Sequence, residues 1–160
     1  MNNAPLTIKY VMDTNILINF SRWIPVSLNK SFWDKLEISL EESKWILLDV
    51  VGEIKRNKPL EDWCKTQKVN GLVTNICDED KEKGIEINND YPMIDESTFK
   101  SEADTYIIAY ALNNKAGVFS AEMNKLPAEK LYKIPDVCKE LNVEFTHMPK
   151  RFLESIDFRN

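Results

Sequence analysis

Four glycines in 160 residues leave little material for a phosphate-cradling loop, and neither G-x-G-x-x-G nor G-x-x-x-x-G-K-[ST] occurs. A single histidine, His147, excludes any centre that needs two imidazoles. The three cysteines, Cys64, Cys77 and Cys138, form no C-x-x-C pair, which argues against a zinc knuckle or a dithiol redox motif. Their odd number suits a reducing compartment, where free thiols are ordinary core residues. No run approaches the roughly 20 apolar residues that span a bilayer. The opening Met-Asn-Asn-Ala-Pro carries no basic region followed by an apolar one, so the expectation is a soluble, cytoplasmic chain without a signal peptide or membrane segment. Positive charge is in short supply too: 21 Lys+Arg face 26 Asp+Glu, a net charge of -5. That surface does not advertise nucleic-acid binding, although a site that holds cations with carboxylates takes its local positive charge from the metal.

What is present describes an ordered globular protein: 43% hydrophobic, 29% charged and 10% aromatic residues, in a chain of one domain's length. Periodicity predicts alternating strands and helices, the pattern of a parallel α/β sheet. Strands are expected at 8–12, 45–48, 117–120 and 143–146. Helices are expected at 14–21, 31–42, 135–141 and from about residue 149. Val50 and Ile54, then Leu60, Trp63 and Cys64, suggest two short helices around Pro59. Residues 70–100 are the least legible. They are rich in acids, Tyr91-Pro92 breaks any helix there, and a solvated helix followed by a long loop fits them best, as an acidic insertion at roughly 76–100 of a single domain. Order returns at Ser101, where a helix opens whose apolar stripe runs Ile107, Ile108, Ala111 and Leu112.

Four acids stand where chemistry is usually placed. Asp13 ends the first strand, and ligands of open parallel sheets bind outside the carboxyl ends of strands; as an N-cap, Asp13 would instead satisfy free amides of the next helix. Glu53 shares a helix face with Val50 and Ile54, a costly place for a charge unless it is paired or bound to metal. Asp104 points with the apolar stripe of its helix, or else completes a Ser-x-x-Asp cap. Glu122 follows the third strand by two residues, where an exposed loop acid is the plainer reading. Taken as a set, two acids past strand ends and two on inward helix faces would converge at one sheet edge. There they would repel one another unless hard cations such as Mg²⁺ or Mn²⁺ neutralised them. Asn15 and Ser120 lie close enough in sequence to Asp13 and Glu122 to orient a carboxylate or a metal-bound water from behind.

At this point the chain resembles the PIN-domain ribonucleases. The likeness rests on an ordered series: Tyr-Val-Met-Asp-Thr-Asn-Ile-Leu-Ile (10–18), Asp-Val-Val-Gly-Glu-Ile (49–54), Ser-Glu-Ala-Asp-Thr-Tyr-Ile-Ile-Ala-Tyr-Ala (101–111) and Gly-Val-Phe-Ser-Ala-Glu (117–122). Lys-Ile-Pro-Asp-Val-Cys (133–138) is similar to a poorly characterised prokaryotic branch of that family. The resemblance implies a three-layer α/β/α sandwich around a mainly parallel sheet. It also implies Mg²⁺- or Mn²⁺-dependent hydrolysis of RNA phosphodiesters, with Asp13 and Asp104 as principal ligands and Glu53 and Glu122 completing the site. The family more often places aspartate in a Thr/Ser-x-Asp step where Glu122 stands. Many prokaryotic PIN proteins are toxins that dimerise and are blocked by a small antitoxin, so a homodimer and an antitoxin partner are implied by analogy.

For an RNA backbone the candidate cations are Arg22, Lys55, Arg56 and Lys58, with Lys125 and Lys130 past Glu122, all of which suit an ordinary solvated face as well. Trp23 could stack a base, but a lid over the core is the preferred reading. His147 is expected to be a surface or capping group. A haloacid-dehalogenase-type phosphatase would need a second acid at residue 15, where an amide stands and no proton can be donated. The remaining alternative is a catalytically silent PIN-like module that binds RNA or protein.

Overall fold

The structure is a computed structural model that describes residues 9–42, 45–49 and 54–147. Four strands, β1 (Tyr10–Met12), β2 (Trp45–Ile46), β3 (Gly117–Phe119) and β4 (Phe145–Thr146), form one sheet of order β2-β1-β3-β4. Every pairing is parallel: Tyr10 and Val11 lie beside Trp45 and Ile46, Tyr10 to Met12 beside Gly117 to Phe119, and Val118 and Phe119 beside Phe145 and Thr146. Parallel strands need covering on both faces, and the side-chain alternation supplies two apolar surfaces. Met12, Trp45, Leu47 and Phe119 enter one core with α1 (Thr14–Trp23), α2 (Lys30–Glu41) and α3 (Lys58–Val69). Val11, Leu48 and Val118 enter the other with α4 (Asp78–Asp90), α5 (Glu102–Asn114) and α6 (Ile134–Glu140). The result is α/β with three layers.

Local chemistry sets the helix starts. Asn29 and Asn57 cap α2 and α3, their side-chain oxygens accepting from the amides of Phe32 and Leu60. The Asn57 amide also donates to the Ser21 hydroxyl (2.9 Å), tying α3 to α1. Pro59 lies within a helix rather than between two. It occupies the first turn of α3, where its missing N–H would have had no partner in any case. Ile54 is outside any helix, while Val50 and Glu53 lie outside the described residues, as does the helix expected from residue 149.

The acidic stretch departs furthest from expectation. Its helix, α4, lies along α5 rather than standing free in solvent, with Asp80, Gly84 and Ile87 buried at i, i+4 and i+7. Gly84 permits the approach: a Cβ there would stand 3.1 Å from both the Thr105 hydroxyl and the Tyr106 ring. Asp80, 2% exposed, accepts from the side-chain amide of Asn113 on α5 (2.9 Å) and from the Cys77 backbone amide (3.3 Å). The remaining acids of α4 do face solvent, and the helix ends at Tyr91-Pro92 as expected. Trp23 is 87% exposed, so it does not lid the core. No helix among the described residues is long and apolar enough to cross a membrane.

Candidate active site

Chain topology decides where a cleft opens. From β1 the chain runs to β2 on one side, then returns to place β3 on the other side of β1. The crevice beyond the carboxyl ends of β1 and β3 is therefore the switch point at which open α/β sheets bind ligands. Asp13 stands there, its amide donating to the Phe119 carbonyl across the strand ends (2.9 Å). Although Asp13 holds the N-cap position of α1, its side chain makes no capping hydrogen bond. It points instead at Ser120, whose hydroxyl donates to Oδ2 at 2.7 Å.

Ser120 is fully buried and every hydrogen-bonding position of its hydroxyl is used. Its oxygen accepts from the Asn15 side-chain amide (3.3 Å) and the Glu122 backbone amide (3.1 Å). With both lone pairs filled, its one proton is directed at Asp13. Asn15 also accepts from the Ala121 amide (3.2 Å), so its side chain fastens the start of α1 to the turn after β3. His147 touches the same turn from behind, Nδ1 lying 3.0 Å from the Ser120 carbonyl oxygen. Ser120 thus contacts the Asp13 carboxylate directly, and Asn15 reaches it through the Ser120 hydroxyl. At 5% exposure, Asp13 is held above the usual carboxylate range by burial, against the pull of the Ser120 hydroxyl.

A cavity of about 380 Å³ opens onto these groups, lined by Asp13, Thr14, Asn15, Ile18, Lys100, Ser101, Asp104 and Glu122. Three of the four acids singled out in the sequence, from segments 13, 104 and 122, therefore share one pocket. Asp104 is half-buried in the first turn of α5, and the expected Ser101 cap does not form, since the Ser101 side chain makes no capping bond. Glu122 turns one oxygen, Oε2, to accept from the Ile134 amide (3.2 Å). Burial raises its carboxyl too, the Ile134 amide opposes this, and repulsion from Asp13 adds to the rise. Glu53 lies outside the described residues. Among the described residues no three His, Cys, Asp or Glu side chains are drawn together tightly enough to hold a metal ion.

The thiols take no part. Cys64 and Cys138 are buried and their thiols are pushed up to about 12, chiefly by burial, which makes them inert core groups. The cations named in the sequence fall elsewhere. Arg22, Lys55 and Arg56 are exposed, Lys58 is paired with Asp62 (2.6 Å), and Lys125 lies 5.3 Å from the centre of the Tyr132 ring. The cation that does line the acid pocket is Lys100, which sequence reasoning passed over. Its one sequence signal is position: it stands two residues before the helix that carries Asp104. Phe99 and Ser101 on either side of it have φ of 54° and 74°. Left-handed backbone at a non-glycine residue costs of order 1 kcal/mol or more and persists only where the surroundings enforce it.

No curated protein and no solved structure matches this chain. A family described as "Domain of unknown function (DUF4411)" matches residues 10–159. That span takes in both cores and every described residue of the pocket, and the chain belongs to the DUF4411 family.

Proposed function

We propose that this protein is a PIN-type nuclease that hydrolyses RNA phosphodiester bonds with Mg²⁺ or Mn²⁺. The observation that carries the reading is the meeting of Asp13, Asp104 and Glu122 in one cavity at the switch point of a parallel sheet. Hard carboxylate oxygens are the donor type these cations take. Asp13 and Asp104 would hold the ion, with Glu122 beside them and Glu53 retained in the set from the sequence resemblance. When bound, the ion supplies a water of lowered pKa and neutralises charge on the phosphate and leaving oxygen. The chain's own part is positional. Ser120 and Asn15 fix the Asp13 carboxylate, while burial excludes bulk water from its flank. A toxin role, with an antitoxin and a homodimer, belongs to the proposal through the resemblance alone.

A second reading, a silent binding module, draws on two observations: Glu122 is engaged by the Ile134 amide, and no tight metal-ligating cluster occurs among the described residues. One experiment separates the two. Purified protein is incubated with a mixed RNA pool and Mn²⁺ or Mg²⁺, beside EDTA and an Asp104→Asn variant whose fold is checked by circular dichroism. Cleavage should disappear in both controls, by at least about a hundredfold, the scale at which a single electrostatic group of an active site is felt. Cleavage that survives Asp104→Asn refutes this site. Absence of both cleavage and calorimetric metal binding by the wild type counts against the nuclease and favours the silent module.

A further inference from the structure

Beside the acid pocket lies a second cavity of about 400 Å³, and the two share Lys100, Ser101 and Glu122 as a common wall. We infer that this second cavity is the subsite for the nucleotide next to the cleaved phosphate, and that Lys100 holds a backbone phosphate at the junction. The assignment rests on the nuclease reading for its substrate class and adds to it the path of the strand.

Shape supports a single strand. About 400 Å³ sits near the lower end of the ~300–1,000 Å³ range of ligand pockets, room for one flexible nucleotide and too narrow for a duplex. The wall chemistry is mixed in the way a nucleotide requires. Lys130 and Lys133 line it with Lys100, and Tyr132 and Met93 form its apolar side. Tyr132 is held in place, its amide donating to the Pro92 carbonyl (2.8 Å) and its ring meeting Tyr91 edge to face at 5.6 Å. The acids of the cavity are largely occupied. Asp95 accepts from the amide and hydroxyl of Ser97, Glu122 from the Ile134 amide, and Glu129 lies 3.9 Å from Lys133. Lys100 and Lys130 are exposed, and the Ser97 hydroxyl, helped by the charge of Lys100, holds the neighbouring Asp95 carboxyl below its ordinary range, so a phosphate at Lys100 would lie beside Asp95 while Lys130 stands apart from it.

Lys100 is also fixed in register with the acids. The Asp95 amide donates to its carbonyl, and the Phe99 amide to the carbonyl of Asp95, closing a loop that leads directly into α5 and Asp104. A phosphate on Lys100 would therefore lie within one lysine side chain's reach of a fixed backbone position beside the pocket that receives the scissile bond. Lys100, flanked by left-handed residues on both sides, lines both cavities.

The test uses the full chain and a fluorescein-labelled single-stranded RNA, with anisotropy read in Ca²⁺ across a salt series. Each phosphate contact on a single strand contributes about 0.7 to the slope of log affinity against log salt. Lys100→Ala and Lys130→Ala should each lower that slope by about 0.7 and weaken binding about fivefold near 0.1 M salt. Lys139→Ala, on the exposed side of α6, should change neither, and Lys100→Arg should restore most of the loss. Unchanged affinity and slope in both alanine variants would overturn the subsite, as would a wild type that binds no RNA or prefers a duplex of the same sequence. Cleavage by the same samples in Mn²⁺ keeps the two readings apart. A wild type that binds through these lysines and never cuts defeats the nuclease reading and leaves the subsite standing. A wild type that cuts, with variants that bind and cut equally well, does the reverse.

Discussion

The two faces of the sheet are packed on opposite plans. On the α1–α3 face the core is aromatic: Trp33 meets Phe32 and Trp63 edge to face at 5.4 and 5.1 Å, and Trp45 lies against Phe119 at 6.1 Å. On the α4–α6 face the buried core holds no ring: its aromatics, such as Tyr91, Tyr106 and Tyr132, pack only at the edge, while Ala103, Ala109 and Ala111 on α5 and Gly84 at its seam with α4 keep the helices close. Large rings fill space between elements that stay apart, whereas small residues let helix backbones come close. The comparison teaches that an amphipathic pattern is only one way for a helix to join a core. With Ile85 exposed and Ile87 buried, α4 has almost no apolar stripe, yet it is seated by a glycine and a hydrogen-bonded aspartate.

If the two plans are real, the faces should fail in opposite ways. Truncation should hurt the aromatic side most. Trp33→Ala, at a fully buried ring whose Nε1 donates to the Ile24 carbonyl (2.8 Å), should cost about 3–5 kcal/mol in urea unfolding. At roughly 2–4 °C per kcal/mol for a chain of this size, that lowers Tm by about 6–20 °C. Enlargement should hurt the other side. Gly84→Leu forces new atoms against Thr105 and Tyr106 and should cost about 1–3 kcal/mol despite leucine's better helix propensity. A Gly84→Leu protein as stable as wild type would mean that α4 is not closely seated, and the contrast between the faces would collapse.

The smallest effect concerns the strand end between the two cores. Burial keeps the Asp13 proton bound in the folded chain at pH values where the unfolded chain has lost it. Folding takes up a proton in that window, so stability falls as pH rises from about the ordinary 3.8 through the raised folded value. Asp13→Asn removes this titration. In chelator, its Tm advantage over wild type should grow across that window and level off above it, as followed by scanning fluorimetry at a series of pH values. A variant gap that does not change with pH would refute the buried, ionised carboxylate.

Much of this architecture is legible from the residues. Phe32, Trp33, Leu36 and Leu40 recur at helical spacing and form the buried face of α2, and the strand runs ending at Met12 and Phe119 lie where alternation with helices puts them. Asp13, Asp104 and Glu122 stand out from ordinary caps and loop acids in the sequence only as a set, and the three line one cavity. What stayed hidden has no periodic trace. Gly84 acts through the absence of a side chain, Asp80 through a partner 33 residues away, and Lys100 lines the pocket from a loop whose left-handed residues no propensity favours. Trp23 misleads for a related reason, since large apolar residues are common enough on protein surfaces to defeat a single-residue argument.

The bond from Ser120 to Asp13 joins residues 107 positions apart. A ribosome adding about 5–20 residues per second places Ser120 in the chain roughly 5–20 s after Asp13. Throughout that interval β1 has neither its β3 neighbour nor the hydroxyl that aims the carboxylate. A growing polypeptide of this sequence therefore carries its first acid for most of its synthesis without the pocket that acid serves.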